Sequence, residues 1–211
     1  MSGHVGTASR LDRDFFARPA PEVAHDLIGK LLHRHDEGIT VRIVEAEAYR
    51  QDDPACHAHR GMTARNAPLF GPPGHAYVYF SYGMHWCVNV VSGHEGWGEG
   101  CLLRAAEPLE GMEVIRRRRG LHHRERDLLR GPGRLGQAMG LGRRHSGMDL
   151  CDGGVVSLSD DGDRPAVLSG PRVGVALAAD VPWRFWTAES PWVSAYKRSP
   201  RAPAAATERK G

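Results

Sequence analysis

The chain has 211 residues, of which 41% are hydrophobic and 25% charged, so it can bury a sizeable core and belongs to neither the disordered nor the fibrous class. Its 26 glycines and 14 prolines favour a turn-rich domain over a helical bundle. No stretch approaches the ~18 apolar residues of a membrane span, and the first residues contain no apolar signal region, so neither membrane insertion nor secretion is expected.

Hydrophobic periodicity and turn residues predict the following elements. The predicted helices lie at 21–32, from about 109 onwards, and at 135–139. The predicted strands lie at 39–49, 76–80, 85–91, 101–105, near 155–158 and near 172–177, and the last ordered piece is 183–196. Strands 76–80 and 85–91 are separated by the short loop 81–84, which is typical of a hairpin.

The strands join by hairpins rather than by long crossovers, so the sequence predicts one mixed α/β (α+β) domain with a largely antiparallel sheet. We expect the domain to cover 11–197. The first ten residues are expected to be a flexible N-terminus, and residues 198–211 a disordered tail, because both are small and polar.

Basic residues are concentrated in one segment. The chain has 25 Arg and three Lys, and eight of the arginines lie between Arg116 and Arg134 against only Glu125 and Asp127. That local charge of +6 leaves −3 for the rest of a chain whose net charge is +3. Two interpretations stay open: a solvated helix face, or a surface that contacts phosphates.

The four cysteines, Cys56, Cys87, Cys101 and Cys151, are far apart and form no CxxC pair. This spacing argues against a zinc knuckle and against a dense disulfide framework.

Carboxylates and tyrosines are concentrated between residues 45 and 82. On strand 39–49, a two-residue period places Glu45, Glu47 and Tyr49 on one face, with Val44, Ala46 and Ala48 on the other. The pattern fits either a solvated face paired with arginines or a cleft that holds a general base beside a stacking platform.

The hairpin tip is unusually apolar. Ser81-Tyr82-Gly83-Met84 carries a tyrosine and a thioether where most tips carry Asn-Gly or Asp-Gly. The tip either folds back onto the domain or acts as a wedge between stacked bases. A wedge, a tyrosine-lined pocket and a basic face are together what an enzyme needs to take one base out of DNA.

These residues resemble the alkyladenine (3-methyladenine) DNA glycosylases of vertebrates and many bacteria, over roughly residues 11–197. The resemblance is carried in chain order by Val44–Tyr49 (VEAEAY), Arg65-Asn66, Gly74, Tyr77–Tyr79, Tyr82–Met84, Cys87, Asn89, Leu102–Ala105, Glu107–Gly111 and Ser190–Ser194 (SPWVS). It implies a curved sheet with a protruding β-hairpin and surrounding helices, and a monofunctional glycosylase of base excision repair.

By position, the resemblance implies that Glu47 is the general base for the attacking water, and that Arg104 and the backbone carbonyl of Val193 help hold that water. Tyr49, His57 and Tyr79 would line the pocket around the flipped base, and Asn89 would clash with the 2-amino group of normal guanine. Tyr82 would be the intercalating wedge, with Met84 beside it. The residues expected to contact DNA are Tyr82, Met84, Arg65, Arg116, Arg117 and Arg134.

The implied substrate is double-stranded DNA that contains damaged purines: 3-methyladenine first, with 7-methylguanine, hypoxanthine and ethenoadenine as further candidates. The reaction needs no cofactor and no metal. Strand cleavage is not expected, because Lys30, Lys197 and Lys210 all lie outside the motifs and a lyase needs an amine for its Schiff base. A monomer without membrane association is expected, cytoplasmic in a bacterium and nuclear in a eukaryote.

Alternatives stay open at this stage. The loop after Tyr49 is one residue shorter than usual, so His59 competes with His57 for the pocket position, and His85 stands where some family members have tyrosine. Glu45, Glu47, His57 and His59 would also be compatible with a metal-dependent hydrolase. A non-catalytic DNA-bending protein is disfavoured, because a carboxylate on the pocket face repels phosphate.

Overall fold

The computed structural model describes residues 8–204. Within this range nine strands form one sheet: β1 (Ser9–Arg10), β2 (Leu31–Arg34), β3 (Ile39–Tyr49), β4 (Ala76–Ser81), β5 (His85–Val91), β6 (Gly100–Glu110), β7 (Val156–Asp160), β8 (Val167–Gly170) and β9 (Arg184–Thr187). In the same part of the chain four α-helices accompany the sheet: α1 (Arg13–Phe16), α2 (Ala20–Asp26), α3 (Met112–Arg119) and α4 (Pro132–Ala138). Short 3₁₀ turns lie at His35–Glu37, Ala67–Phe70, Glu125–Asp127 and Arg143–His145.

The sheet is antiparallel at every pairing in the described part of the chain, and its order is β1-β7-β2-β3-β6-β5-β4. Strand β3 is central, because it pairs with β6 along one edge and with both β2 and β9 along the other. The sheet therefore curls into a half-barrel, which confirms the predicted mixed α+β class.

A bulge at Val44 determines which way the carboxylates of β3 face. Ile39, Val41 and Ile43 face the main core at odd positions, whereas Ala46 and Ala48 face it at even positions. The change of parity coincides with register shifts between Ile43 and Ala46, opposite Arg104 on β6. A regular strand would continue the odd positions into the core and bury both glutamates in it, so the bulge turns them to the other face.

The bulge also corrects one predicted face. Val44 was expected to share a face with Ala46 and Ala48, but it lines a surface groove with Arg42 and Glu107. Val44 and Glu45 are therefore consecutive residues on one side of β3, as a bulge requires.

Helix α2 is shorter than the periodicity predicted. It ends at Asp26, and Leu31 and Leu32 belong to strand β2, where they pair with β3 and β7. Apolar residues spaced three and four apart fit a helix as well as they fit a buried strand. Here the segment is a strand because the edges of β3 and β7 are both available to pair with it.

Strand β6 runs on to Glu110, so helix α3 begins at Met112 rather than near Leu109. The predicted strand at 172–177 is a loop, and the strand in this region is β8. The predicted hairpin is confirmed as β4 and β5.

Described residues on both sides of the predicted domain, 11–197, also contact it. Ser9–Arg10 pairs with β7, and residues 1–7 lie outside the described residues. Residues 198–204 also contact the domain, because Arg198 pairs with Asp180 and Ser199 is buried. The rest of the predicted tail, 205–211, lies outside the described residues.

The main core lies between the sheet and the helices α2, α3 and α4. Helix α4 crosses β5 closely: a Cβ on Gly136 would clash with the carbonyl oxygen of Trp86, so glycine is required there. A second, smaller cluster contains Cys56, Ala58, Leu69, Phe70, Tyr77 and Val91, and Tyr49 and Tyr79 pack against it. This second cluster forms the wall of the cavity described below. Within residues 8–204, no helix combines the length and apolar character that a membrane crossing requires.

Candidate active site

A cavity of about 550 Å³ opens between the hairpin and the loop 173–177. Its aromatic and polar lining comes from the end of β3, the loop after it, and strands β4, β5 and β6. The lining residues include Tyr49, Cys56, His57, Arg65, Tyr77, Tyr79, Tyr82, Cys87, Asn89, Arg104 and Val173. The structure thus brings together most of the residues that the sequence singled out.

Glu47 lies behind the Tyr49 and Arg104 lining and is fully buried. The Tyr49 hydroxyl donates to Glu47 Oε2 at 2.8 Å, and Arg104 Nη1 donates to the same oxygen at 3.2 Å. The backbone N–H of Val173 donates to Oε1 at 2.7 Å. Three donors from three segments therefore fix the orientation of this carboxylate.

The two side-chain donors keep their protons. Burial raises the pKa of Tyr49 well above its ordinary value, and the negative charge of Glu47 raises it further. Burial alone would lower the pKa of Arg104, but the charges of Glu47 and Glu45 outweigh that effect and raise it. Tyr49 is thus a neutral donor and Arg104 a permanent cation beside Glu47.

Neither glutamate is among the residues that line the cavity, but Glu45 has a different set of hydrogen-bond partners from Glu47. Its Oε1 accepts from Arg104 Nε at 3.1 Å, Arg184 Nε at 2.7 Å and Ser194 Oγ at 2.9 Å, and its Oε2 accepts from the backbone N–H of Ser194 at 2.8 Å. These four bonds tie β3 to β6, β9 and the 190–194 segment. We therefore assign Glu45 a structural role.

His57 lies in the cavity wall, and His59 does not. His57 Nδ1 is hydrogen-bonded to the Tyr77 hydroxyl at 3.1 Å, and its ring meets the Tyr79 ring edge-on with centroids 4.5 Å apart. Both histidines are partly open to solvent, but the Nδ1 of His59 lies 3.1 Å from the carbonyl oxygen of Gln51, away from the cavity lining. This geometry favours His57 as the pocket histidine.

The aromatic wall is uncharged near neutral pH. His57 is partly exposed, but desolvation by the surrounding cavity wall, together with the positive charge of Arg65, lowers its pKa. Burial raises the pKa of Tyr77 to about 12 and that of Tyr79 further above its ordinary value. Asn89 is buried beside them, and its side-chain amide donates to the Tyr77 carbonyl at 3.0 Å, which fixes its position in the lining.

The hairpin tip stands out from the domain. Tyr82 is 89% exposed and Met84 is 68% exposed, so the tip does not fold back. The turn is closed by the Met84 N–H and the Ser81 carbonyl at 3.1 Å, with a φ of 51° at Tyr82 and 65° at Gly83. A positive φ is unfavourable for tyrosine and costs roughly 1–2 kcal/mol, and strain of this kind is often found at functional positions.

The predicted DNA-contacting arginines differ in their freedom to bind an anion. Arg65 lines the cavity, and its Nη2 donates to the Phe80 carbonyl at 3.0 Å. Arg116 pairs with Glu125 at 3.0 Å and Arg134 with Asp127 at 3.4 Å. Arg117 is exposed and has no ion-pair partner among residues 8–204.

Val193 is not brought into the cavity. Its carbonyl oxygen accepts from Arg130 Nε at 2.6 Å, which ties the 190–194 segment to the loop before α4. The backbone group that is hydrogen-bonded to Glu47 is instead the N–H of Val173. Val173 could not be found from the sequence, because it acts through its main chain and no side-chain pattern reports such a contact.

The proposed metal ligands are engaged elsewhere. Glu45 and Glu47 already accept hydrogen bonds from Arg104, whose positive charge disfavours a cation at that position. Over the range 8–204 there is no group of three or more His, Cys, Asp or Glu residues arranged to hold a metal ion. The donor set therefore does not fit the metal-dependent hydrolase.

A fixed carboxylate behind an aromatic-walled cavity is the arrangement of a hydrolase that acts on a planar group. The family model described as methylpurine-DNA glycosylase matches residues 14–191, so the chain belongs to the methylpurine-DNA glycosylase family. It is accordingly a DNA glycosylase, an enzyme of DNA repair.

Similar proteins cover nearly the whole chain. A Burkholderia lata protein named "Putative 3-methyladenine DNA glycosylase" is 50% identical over 188 residues, which cover 87% of this chain and 90% of that protein. Proteins of the same name from Nocardia farcinica and Rhodopseudomonas palustris are 48% identical over 198 residues and 50% identical over 184 residues. These alignments cover 90% and 87% of this chain, and 92% and 90% of the two relatives.

Proposed function

We propose that this protein is a monofunctional DNA glycosylase that flips alkylated or deaminated purines out of double-stranded DNA and hydrolyses the N-glycosidic bond with a water activated by Glu47. The observation that carries the proposal is the Glu47 carboxylate, buried behind the cavity and oriented by Tyr49, Arg104 and Val173. 3-Methyladenine, the base in the names of the relatives, is the first candidate substrate.

The chemistry requires one negative charge and one base. Breaking the C1′–N bond releases the purine with the bonding electrons and leaves positive charge on the sugar, which a nearby carboxylate stabilises. Water then forms the new O–C1′ bond and gives its proton to Glu47. Arg104, which remains charged, keeps the Glu47 carboxylate in place during both steps.

The aromatic wall supports the choice of substrate. Tyr49, Tyr79 and His57 present neutral rings to the cavity, and such rings attract an electron-poor alkylated purine by stacking and by cation–π interaction worth about 0.5–1 kcal/mol per contact. Tyr82, which is exposed and held in a strained turn, is the candidate wedge that fills the gap left by the flipped nucleotide.

The lysines support base removal without strand cleavage. Lys30 is buried in an ion pair with Asp160 at 3.1 Å, and Lys197 is exposed and lies outside the cavity lining. Lys210 lies outside the described residues. The cavity is complete within one chain, which supports action as a monomer.

The test is base release by Glu47→Gln from duplexes that each contain a single 3-methyladenine, 7-methylguanine, hypoxanthine or 1,N6-ethenoadenine. Glutamine keeps the size and an acceptor for the Val173 N–H but cannot take a proton. Single-turnover excision should fall ~10²- to 10⁴-fold while binding to lesion DNA is retained.

Glu99→Gln is the matched control, since Glu99 is also buried, lies outside the cavity lining and accepts from the backbone N–H of Ala20. This control should excise at nearly the parental rate. Near-parental excision by Glu47→Gln would overturn the assignment of the base, and parental protein that releases none of the four bases would overturn the proposed substrates.

A further inference from the structure

Behind the cavity, Arg172 lies against Tyr49 and is almost completely buried. Its guanidinium carbon lies 4.7 Å from the centroid of the Tyr49 ring and 5.4 Å from that of Trp183. Nη1 donates to the Ala48 carbonyl at 3.0 Å and to the carboxylate of Asp53. Arg172 is therefore a fixed charge and cannot move away from the ring.

Tyr49 separates this charge from the cavity. One face of its ring meets the Arg172 guanidinium, and Tyr49 also lines the cavity, whereas Arg172 does not. A planar base that stacks on the accessible side of Tyr49 would thus have a buried cation behind the ring. A cation on one face of an aromatic ring draws electron density from the other, and it also repels a second cation directly.

Asp53 moderates this effect. Its side chain is 2% exposed and that of Arg172 is 0% exposed, so water screens neither charge. Because the carboxylate lies on the guanidinium, the pair presents only part of a full positive charge to Tyr49. Loss of the Arg172 charge would therefore make the electrostatic potential at the cavity more negative, and loss of the Asp53 charge would make it more positive.

We infer that the Arg172–Asp53 pair, acting through Tyr49, sets how strongly the cavity prefers cationic over neutral damaged bases. This inference rests on the proposed function and refines it: alkylated purines that carry a positive charge lose part of their stacking advantage, so neutral damaged purines remain competitive substrates. Arg172 and Asp53 are positioning residues, since the contact with the base is made by Tyr49.

The charge difference persists through the reaction. With N1 protonated, as in a base pair with cytosine, a 7-methylguanine nucleoside has a net charge of +1, whereas a 1,N6-ethenoadenine nucleoside has none, and cleavage of the glycosidic bond conserves the total charge in each case. The ratio of kcat/KM values for the two lesions therefore reports the field at the cavity.

The experiment is a competition in one tube, with the two duplexes carrying different fluorescent labels, so that the ratio does not depend on the fraction of active protein. Arg172→Gln should raise the preference for 7-methylguanine about 3- to 10-fold, and Asp53→Asn should lower it by a similar factor. Arg172→Lys retains the charge and should stay closer to the parental ratio than Arg172→Gln does.

Opposite shifts from two touching residues are the signature of the charge effect, because structural damage would lower both activities together. Arg34→Gln is the control for the loss of a buried arginine: Arg34 is 1% exposed, and it binds Asp36 and His145 outside the cavity. This variant should lose thermal stability without changing the ratio.

Ratios for Arg172→Gln and Asp53→Asn that move in the same direction, or not at all, would overturn the inference while leaving the proposed function intact. If Arg172→Gln does not fold, Asp53→Asn alone tests the inference. It should lower the preference for 7-methylguanine, and an unchanged or raised preference would overturn the inference. A parental protein that releases neither base would overturn the proposed function and this inference with it.

Discussion

Replacing Glu45 by glutamine should destabilise the protein far more than its single lost charge would at the surface. Glu45 is fully buried and accepts four hydrogen bonds, two of them from the buried arginines Arg104 and Arg184. In Glu45→Gln one oxygen becomes an NH₂ group that faces donors, and the negative charge that balanced two guanidinium groups is lost. Removing one partner of a buried ion pair typically costs about 3–5 kcal/mol.

For a chain of this length, 1 kcal/mol corresponds to roughly 2–4 °C in Tm, so we expect Glu45→Gln to lower Tm by about 6–20 °C. Circular dichroism melts of the parental protein and the variant measure the difference. The matched surface variant is Glu125→Gln, whose partner Arg116 lies 3.0 Å away in an exposed pair. Such pairs contribute about 0–1 kcal/mol, so its Tm should fall by less than about 4 °C.

A Tm for Glu45→Gln within about 2 °C of the parental value would refute this reasoning. It would mean that Arg104 and Arg184 are held by their other contacts and do not need Glu45. Excision measured well below the lowered Tm distinguishes the structural role of Glu45 from the catalytic role proposed for Glu47. At that temperature we expect Glu45→Gln to retain most of its activity and Glu47→Gln to have lost it.

Three further predictions concern DNA binding and pH. Tyr82→Ser should lower the fluorescence change of an ethenoadenine duplex on binding, because the gap left by the flipped base is no longer filled; a parental change would make the tip a packing feature. Arg117 and Arg126 are exposed, and replacing both by glutamine should flatten the slope of the logarithm of the DNA-binding constant against log salt by roughly one to two units. An unchanged slope would mean that these arginines are solvated and do not contact phosphates. Burial and the neighbouring His35 lower the pKa of His33, so the unfolded state binds more protons as the pH falls below about 6.5 and stability is lost there. Thermal melts should therefore show that Tm falls less for His33→Gln than for the parental protein between about pH 7 and about pH 5. An equal fall in Tm for the two proteins would contradict this account.

Some elements could be predicted from the sequence because their signals are local. The β-branched run of β3 and the two strands around Tyr82-Gly83 have a two-residue period, and both were found where expected. Leu31 and Leu32, at the start of β2, were predicted as helix because they also fit a 3.6-residue period. The strand conformation of β2 depends on two partners that are distant in the sequence, β3 and β7.

The candidate site divides in the same way. The sequence by itself determined which side chains carry charge or aromatic surface, and their order along β3 and the hairpin was enough to indicate a carboxylate among tyrosines. The family resemblance named Glu47, but only the tertiary structure shows the physical difference between the two glutamates: the bulge opposite Arg104 and the backbone N–H of Val173 place Glu47 behind the cavity, whereas Glu45 lies in a closed ion cluster. Register shifts and main-chain donors depend on how distant strands pair, and main-chain groups are the same for every residue type, so no side-chain pattern could have reported them.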